Sequence, residues 1–112
     1  QFKRCWNVER NNLLIKRSYV PPQFTMFYYV YILKSTKNNK LYIGYTKDLK
    51  QRLKQHNNGK NLSTKPFKPY NLIFYESFLR KADAKNREIY LKSGYGGRTI
   101  KKMLKIYFQA KI

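Results

Sequence analysis

One cysteine, Cys5, and one histidine, His56, are all that the 112-residue chain holds of those two types. A single cysteine excludes an intrachain disulfide, and one of each excludes a zinc site of the Cys/His kind. Any metal must therefore be a hard cation held by carboxylate and water. Acids are scarce too: five Asp and Glu stand against twenty-five Lys and Arg, for a formal net charge of +20. No run of about 18 apolar residues is present to span a membrane, and no signal-peptide pattern is found. A long basic amphipathic helix is missing as well, which makes a membrane surface a poor candidate partner. Together these absences read as a soluble intracellular protein, cytoplasmic or nucleoid-associated.

What is abundant is positive charge, far more than solubility needs. Its self-repulsion is a cost that a small domain does not usually carry without return, and nucleic acid is the partner this charge suggests. The bland alternative is a charged surface with no partner. The length suits one domain with a modest core. Residues 1–25 do not share the pattern of the rest of the chain and end in Pro21-Pro22 just before Met26. They read as an N-terminal extension or linker upstream of the natural start, in which Leu13, Leu14 and Ile15 suit a short helix. The domain is expected over residues 26–108, with 109–112 as a tail.

YVYIL and LYIGY alternate about an asparagine-bearing turn, which predicts a hairpin of Tyr28–Leu33 and Leu41–Tyr45. Thr46 suits the N-cap of a following helix with Asp48 in its first turn, stopping near Asn58-Gly59. After a loop holding Pro66 and Pro69, NLIFYESF predicts a third strand, and a second helix runs from about Asp83 to Gly94. A flexible GYGG leads to a last helix with Ile100, Met103, Leu104, Tyr107 and Phe108 on one apolar face. The predicted class is α/β of the α+β kind: a small three-stranded antiparallel or mixed sheet flanked by helices, in the order ββαβαα.

On the first predicted helix, Leu49 and Leu53 define the buried stripe, and Arg52 and His56, four apart, run along its edge beside the hairpin. The bland readings are an Asp48–Arg52 pair and a capping or packing role for His56. On the second helix Glu88 shares a face with Ala84 and Leu91, so a rare carboxylate points toward the core side. It needs a partner. Lys92, one turn on, is one; a divalent cation held also by water and substrate phosphate is the other. Tyr29, Tyr31 and Leu33 share one face of the first strand, and Tyr42 and Gly44 one face of the second. Gly44, without a side chain, leaves space for something to approach the sheet beside Tyr42.

A phenol, an arginine, a histidine and a carboxylate around a gap suit cleavage of a phosphodiester. The arginine neutralises charge on phosphate, a metal stabilises the attacking or leaving oxygen, and a phenolate takes the proton of water. An unperturbed tyrosine, with a pKa of about 10, is ionised in only roughly one molecule in a thousand at neutral pH. Nearby positive charge would lower that pKa, and this chain supplies it.

The ordered set YVY, YIG, TKDLKQRLKQHNNGK and REIYLKSG resembles the GIY-YIG endonuclease family over residues 26 to about 107. It is most similar to small single-domain members related to the N-terminal domain of the excision-repair incision subunit UvrC. The resemblance implies the GIY-YIG fold and a metal-dependent DNA endonuclease of repair or recombination. It assigns Tyr42 as general base, Tyr31 and His56 as groups that position or exchange protons, Arg52 to phosphate and Gly44 to close approach. Glu88 becomes the ligand of one Mg2+ or Mn2+. The chain departs from the pattern at Tyr29 and Val30, where the family has the glycine and isoleucine of its name. At Tyr45 the incision-subunit branch has a lysine, and a late asparagine ligand of some homing members has no match here.

Lys60, Lys65 and Lys68 in the loop, and Lys101, Lys102 and Lys105 on the last helix, are expected to contact phosphates without reading sequence. No recognition helix or zinc module is present to read bases. A structure-selective or weakly specific nuclease acting on branched or damaged DNA is the expectation, with RNA as a further option and a protein partner as one route to targeting. Two rivals stand beside it. A non-catalytic nucleic-acid-binding module would have no need of all five site residues, and a ribosome-like RNA-binding protein would have no need of Glu88 beside an apolar stripe.

Overall fold

The structure, a computed structural model, describes residues 26–110. The proposed extension, with Leu13, Leu14 and Ile15, and the last two residues lie outside the described residues. Strands β1 (Tyr28–Ser35) and β2 (Leu41–Thr46) form the expected antiparallel hairpin. Its turn works as the asparagines suggested: Asn39 adopts a φ of 60°, the left-handed region that asparagine tolerates, and the Lys40 N–H donates to Asn38 Oδ1 at 3.0 Å. Strand β3 (Tyr70–Phe78) pairs antiparallel with the other side of β1, giving the order β2-β1-β3. The sheet is therefore antiparallel throughout, and the mixed option falls away.

Helix α1 (Leu49–Asn57) is capped two residues later than expected. Asp48 is the N-cap, its carboxylate accepting from the Gln51 N–H at 3.1 Å. Thr46 instead ends β2, with its hydroxyl accepting from the Asp48 N–H at 3.0 Å. An aspartate there faces the positive end of the helix dipole, an advantage that a threonine lacks. Gly59, with φ of +75°, follows the helix end as predicted.

Helix α2 (Lys81–Lys92) carries Asp83 in its first turn. The GYGG stretch is not a flexible leader, because Gly96 is buried and already begins α3 (Gly96–Met103). A Cβ at Gly96 would run into the Leu91 carbonyl, so the glycine lets the end of α2 and the start of α3 touch backbone to backbone. The single last helix that was expected is two, α3 and α4 (Lys105–Gln109), broken at Leu104 with φ −110° and ψ 34°. Ile100 and Leu104 pack on the core, whereas Met103, Tyr107 and Phe108 are exposed. Helical spacing carries no mark of a one-residue break, and the apolar face was overestimated for that reason.

Strand alternation sends β1 into two cores. Val30 and Ile32 pack with Ala84 and Leu91 of α2 and Ile100 of α3. Tyr31 and Leu33 face the other way, with Tyr70, Tyr42 and the Leu49–Leu53 stripe of α1. Each fully buried Val, Ile or Leu side chain here stabilises the fold by about 1.5–3 kcal/mol. Among the described residues no helix is long and apolar enough to cross a membrane.

Candidate active site

The hairpin register sets the site. Tyr31 lies opposite Gly44, and Leu33 opposite Tyr42, so both tyrosines stand on the face that α1 covers. A Cβ at Gly44 would collide with the Tyr31 phenol. The space that Gly44 was expected to leave for an incoming group is thus filled from within, by its cross-strand neighbour.

His56 sits in the last turn of α1 and is wholly buried. Its Nε2 is hydrogen-bonded to the Tyr31 hydroxyl at 3.0 Å and its Nδ1 to the Thr64 hydroxyl at 2.8 Å. The half-buried Tyr42 ring meets the imidazole edge to face, 4.8 Å between centroids, and lies 6.4 Å from the Tyr31 ring. Burial pushes His56 below the ordinary histidine range, and the Arg52 guanidinium adds to the shift. Burial pushes the Tyr31 phenol up, with Tyr42 and Glu88 reinforcing and Arg52 opposing. The expectation that a basic chain would lower tyrosine pKa values fails at Tyr31, where desolvation outweighs the one guanidinium beside it. Tyr70 is raised likewise, by burial and then by Tyr42.

Arg52 is half-buried and acts on both Tyr31 and His56. The Asp48–Arg52 pair does not form, since the ion pairs among the described residues are Arg87–Glu76 at 2.8 Å and Lys92–Glu88 at 3.0 Å. Asp48 is occupied as a helix cap, which leaves the guanidinium to the tyrosine side. Glu88 arrives from α2, on the other face of the sheet, with a side chain 17% exposed. Its Oε2 accepts from Lys92 Nζ, as the bland reading of that residue held, and its charge also reaches the Tyr31 phenol.

No group of three or more metal-ligating side chains occurs among the described residues. A lone carboxylate with one oxygen engaged by Lys92 still fits a hard cation of the magnesium kind, which keeps most of its water and takes further oxygens from phosphate. It does not fit a metal that needs a full protein cage.

The open space beside Tyr42 lies along the outer edge of β2 rather than at Gly44. A groove of 470 Å³ is lined there by Tyr42, Ile43, Leu91, Lys92 and Ile100 among others. It shares Leu41, Gly97 and Ile100 with a second groove of 420 Å³ that Lys101 and Lys105 line. Lys102 is exposed on α3. Lys60 follows Gly59 directly, and the side chains of Lys65 and Lys68 close around that glycine, so this trio gathers at the end of α1. The fold therefore brings together Tyr31, Tyr42, Arg52 and His56, leaves Glu88 on α2 paired with Lys92, and sets the lysines on separate elements.

Two polar residues of the site carried no sequence signal. Thr64, 1% exposed, is the second partner of His56. Asn57 accepts the Tyr70 N–H at 2.6 Å and donates to the Tyr70 carbonyl at 3.3 Å, tying the start of β3 to α1 as a strand neighbour would. A loop threonine and a helix-end asparagine look ordinary in a string of letters.

The family model described as the GIY-YIG catalytic domain matches residues 27–101. The chain is also similar to UPF0213 protein CPE1444 of Clostridium perfringens, 45% identical over 65 residues that cover 57% of this chain and 69% of that protein. UPF0213 protein YazA of Bacillus subtilis is 46% identical over 66 residues, covering 58% and 66% of the two chains. UPF0213 protein SSP2268 of Staphylococcus saprophyticus is 40% identical over 67 residues, covering 59% and 80%. Those names state no activity. No solved structure matches the chain significantly.

Proposed function

Because this chain belongs to the GIY-YIG catalytic-domain family, a nuclease-type domain, we propose that it is an endonuclease hydrolysing phosphodiester bonds in DNA with the help of one divalent cation. The observation that carries this reading is the convergence of Tyr31, Tyr42 and His56 at the hairpin, with Arg52 beside them.

Tyr42, half-buried beside His56 on the α1 face of the hairpin, takes as its phenolate the proton of the attacking water. The water oxygen forms the new P–O bond as the ester P–O bond breaks, and the departing oxygen takes a proton from solvent. Arg52 offsets the charge that grows on the phosphate oxygens. Tyr31 has a different part from Tyr42, since burial keeps it a neutral phenol, and neutral His56 holds it. Glu88 is the residue that would hold Mg2+ or Mn2+, an ion that when bound stabilises charge on attacking or leaving oxygens.

The exposed lysines supply sequence-blind affinity for the backbone. Selection by shape is the consequence of lacking any element that would read bases. Branched or damaged DNA is the proposed substrate, repair or recombination the setting, and a partner protein the source of targeting. A second reading, a binding module that keeps the fold without turnover, draws support from the Lys92–Glu88 pair, which engages the one candidate metal ligand.

Cleavage of labelled single-stranded, duplex and branched DNA and RNA with Mg2+ or Mn2+ separates the two. The nuclease reading expects cutting that stops with chelator and in Glu88→Ala and Tyr42→Phe while DNA binding persists. Tight, salt-sensitive binding with no cutting of any substrate would select the binding module.

A further inference from the structure

The hydrogen bonds around His56 run in one direction, and we propose that Thr64 sets it. The Thr64 hydroxyl accepts the Nδ1–H of His56, which leaves Nε2 bare to accept the Tyr31 hydroxyl proton and makes Thr64 a positioning residue of the site. The effect on cleavage rests on the nuclease reading; the hydrogen-bond assignment stands apart from it.

Both ends of the chain of bonds select the same tautomer. Thr64 Oγ lies 2.8 Å from His56 Nδ1 and 3.3 Å from the Asn61 carbonyl, which can only accept. A hydroxyl has one proton, and once it is directed at that carbonyl a lone pair meets Nδ1–H. At the other end Tyr31 is 1% exposed, and His56 Nε2 is its hydrogen-bond partner among the described residues. Arg52 beside it offers donors and no acceptor. With Nε2 protonated, the Tyr31 O–H would be a buried donor with nothing to accept it, a costly state. An imidazolium would satisfy Thr64 but not Tyr31, and complete burial and Arg52 both oppose it.

The direction matters because of what it does for Arg52. With its proton committed to His56, Tyr31 faces the guanidinium as a neutral acceptor. A carboxylate partner such as Asp48 would also hold Arg52 but would cancel the charge that a phosphate must meet. Here Asp48 caps the helix, and Arg52 stands beside Tyr31, a group that leaves its charge intact. Thr64 is the outer anchor of that arrangement.

The single histidine makes the test direct. Nitrogen NMR of the 15N-labelled full chain at neutral pH reads this ring alone and is expected to show Nδ1 protonated and Nε2 bare. Thr64→Val keeps the shape and removes the acceptor, whereas Thr64→Ser keeps it. The valine variant is expected to disturb the Nδ1 signature and to lower kcat for DNA cleavage by at least about tenfold with KM little changed, while the serine variant restores both. A wild-type spectrum with Nε2 protonated, or an imidazolium, overturns the proposal. So does Thr64→Val with an unchanged ring spectrum and unchanged kcat. If wild type cuts no DNA yet shows the expected spectrum, altered in Thr64→Val and kept in Thr64→Ser, the nuclease reading fails and the role of Thr64 stands. Should the valine variant fail to fold, the wild-type and serine spectra decide.

Discussion

Replacing Gly44 by alanine adds one methyl group where the structure has no place for it. The backbone conformation is no obstacle, because the φ of Gly44 lies outside the left-handed region, so alanine brings the usual unfolded-state benefit of about 0.4–1 kcal/mol. Against that stands the overlap with Tyr31, whose phenol oxygen and ring carbons lie where the Cβ would be. Tyr31 cannot give way cheaply, since its ring is fully buried and its hydroxyl is held by His56 at 3.0 Å. Overpacking a well-filled core costs about 1–3 kcal/mol. Losing the buried hydrogen bond costs about 1–3 kcal/mol more. The two penalties exceed the benefit, and Gly44→Ala is expected to be less stable by about 1–6 kcal/mol. For a domain of this size that lowers Tm by at least about 4 °C. Circular dichroism melts of wild type, Gly44→Ala, Tyr31→Ala and the double variant measure it. The double variant should lose less than the sum of the single losses by about 1 kcal/mol or more, because the overlap exists only once. Gly44→Ala melting at or above wild type, or strictly additive losses, would refute the reasoning.

His56 is held below its ordinary pKa of about 6.5, so the unfolded chain binds the proton more readily than the folded one. Its contribution to stability is therefore full above about pH 6.5 and is lost as pH falls toward the folded-state pKa, by at most about 1.4 kcal/mol per pH unit. Urea titrations between these limits should show that slope in wild type and its disappearance in His56→Gln. Ile100→Ala, at a position 2% exposed, should cost about 2–4 kcal/mol in the same assay, whereas Ile106→Ala, at a position 78% exposed, should stay within about 0.5 kcal/mol. Binding to duplex DNA should weaken with salt with a slope near 0.9 per phosphate neutralised, and exchanging Lys60, Lys65 and Lys68 for alanine should lower that slope by up to about 3; an unchanged slope would remove those lysines from the interface.

Much of the scaffold was legible because its causes are local. Alternation in YVYIL and LYIGY, the asparagine turn and the glycine after α1 each act within a few residues, and the strands and first helix fell where those signals put them. Where two local signals competed, the reading slipped by a residue or two, as when Asp48 and not Thr46 took the cap. Gly96 was misread because its reason is a contact with the Leu91 carbonyl rather than a need for freedom. The break at Leu104 left no trace in a periodicity that continues through it.

The site divides along the same line. From the letters alone came the class of fold, the polyanion partner that a charge of +20 suggests, and the short roster of Tyr31, Tyr42, Arg52, His56 and Glu88. These depend on residue type and on spacing along a strand or helix, which a sequence records. What each residue does in relation to the others was decided only by the fold. Burial, not neighbouring charge, determines the state of Tyr31; Tyr31 itself fills the space over Gly44; Lys92 engages Glu88; and Thr64, from a loop without pattern, completes the chain of bonds through His56. Desolvation and hydrogen-bond partners come from atoms distant in sequence, and only the packed tertiary structure brings those atoms together.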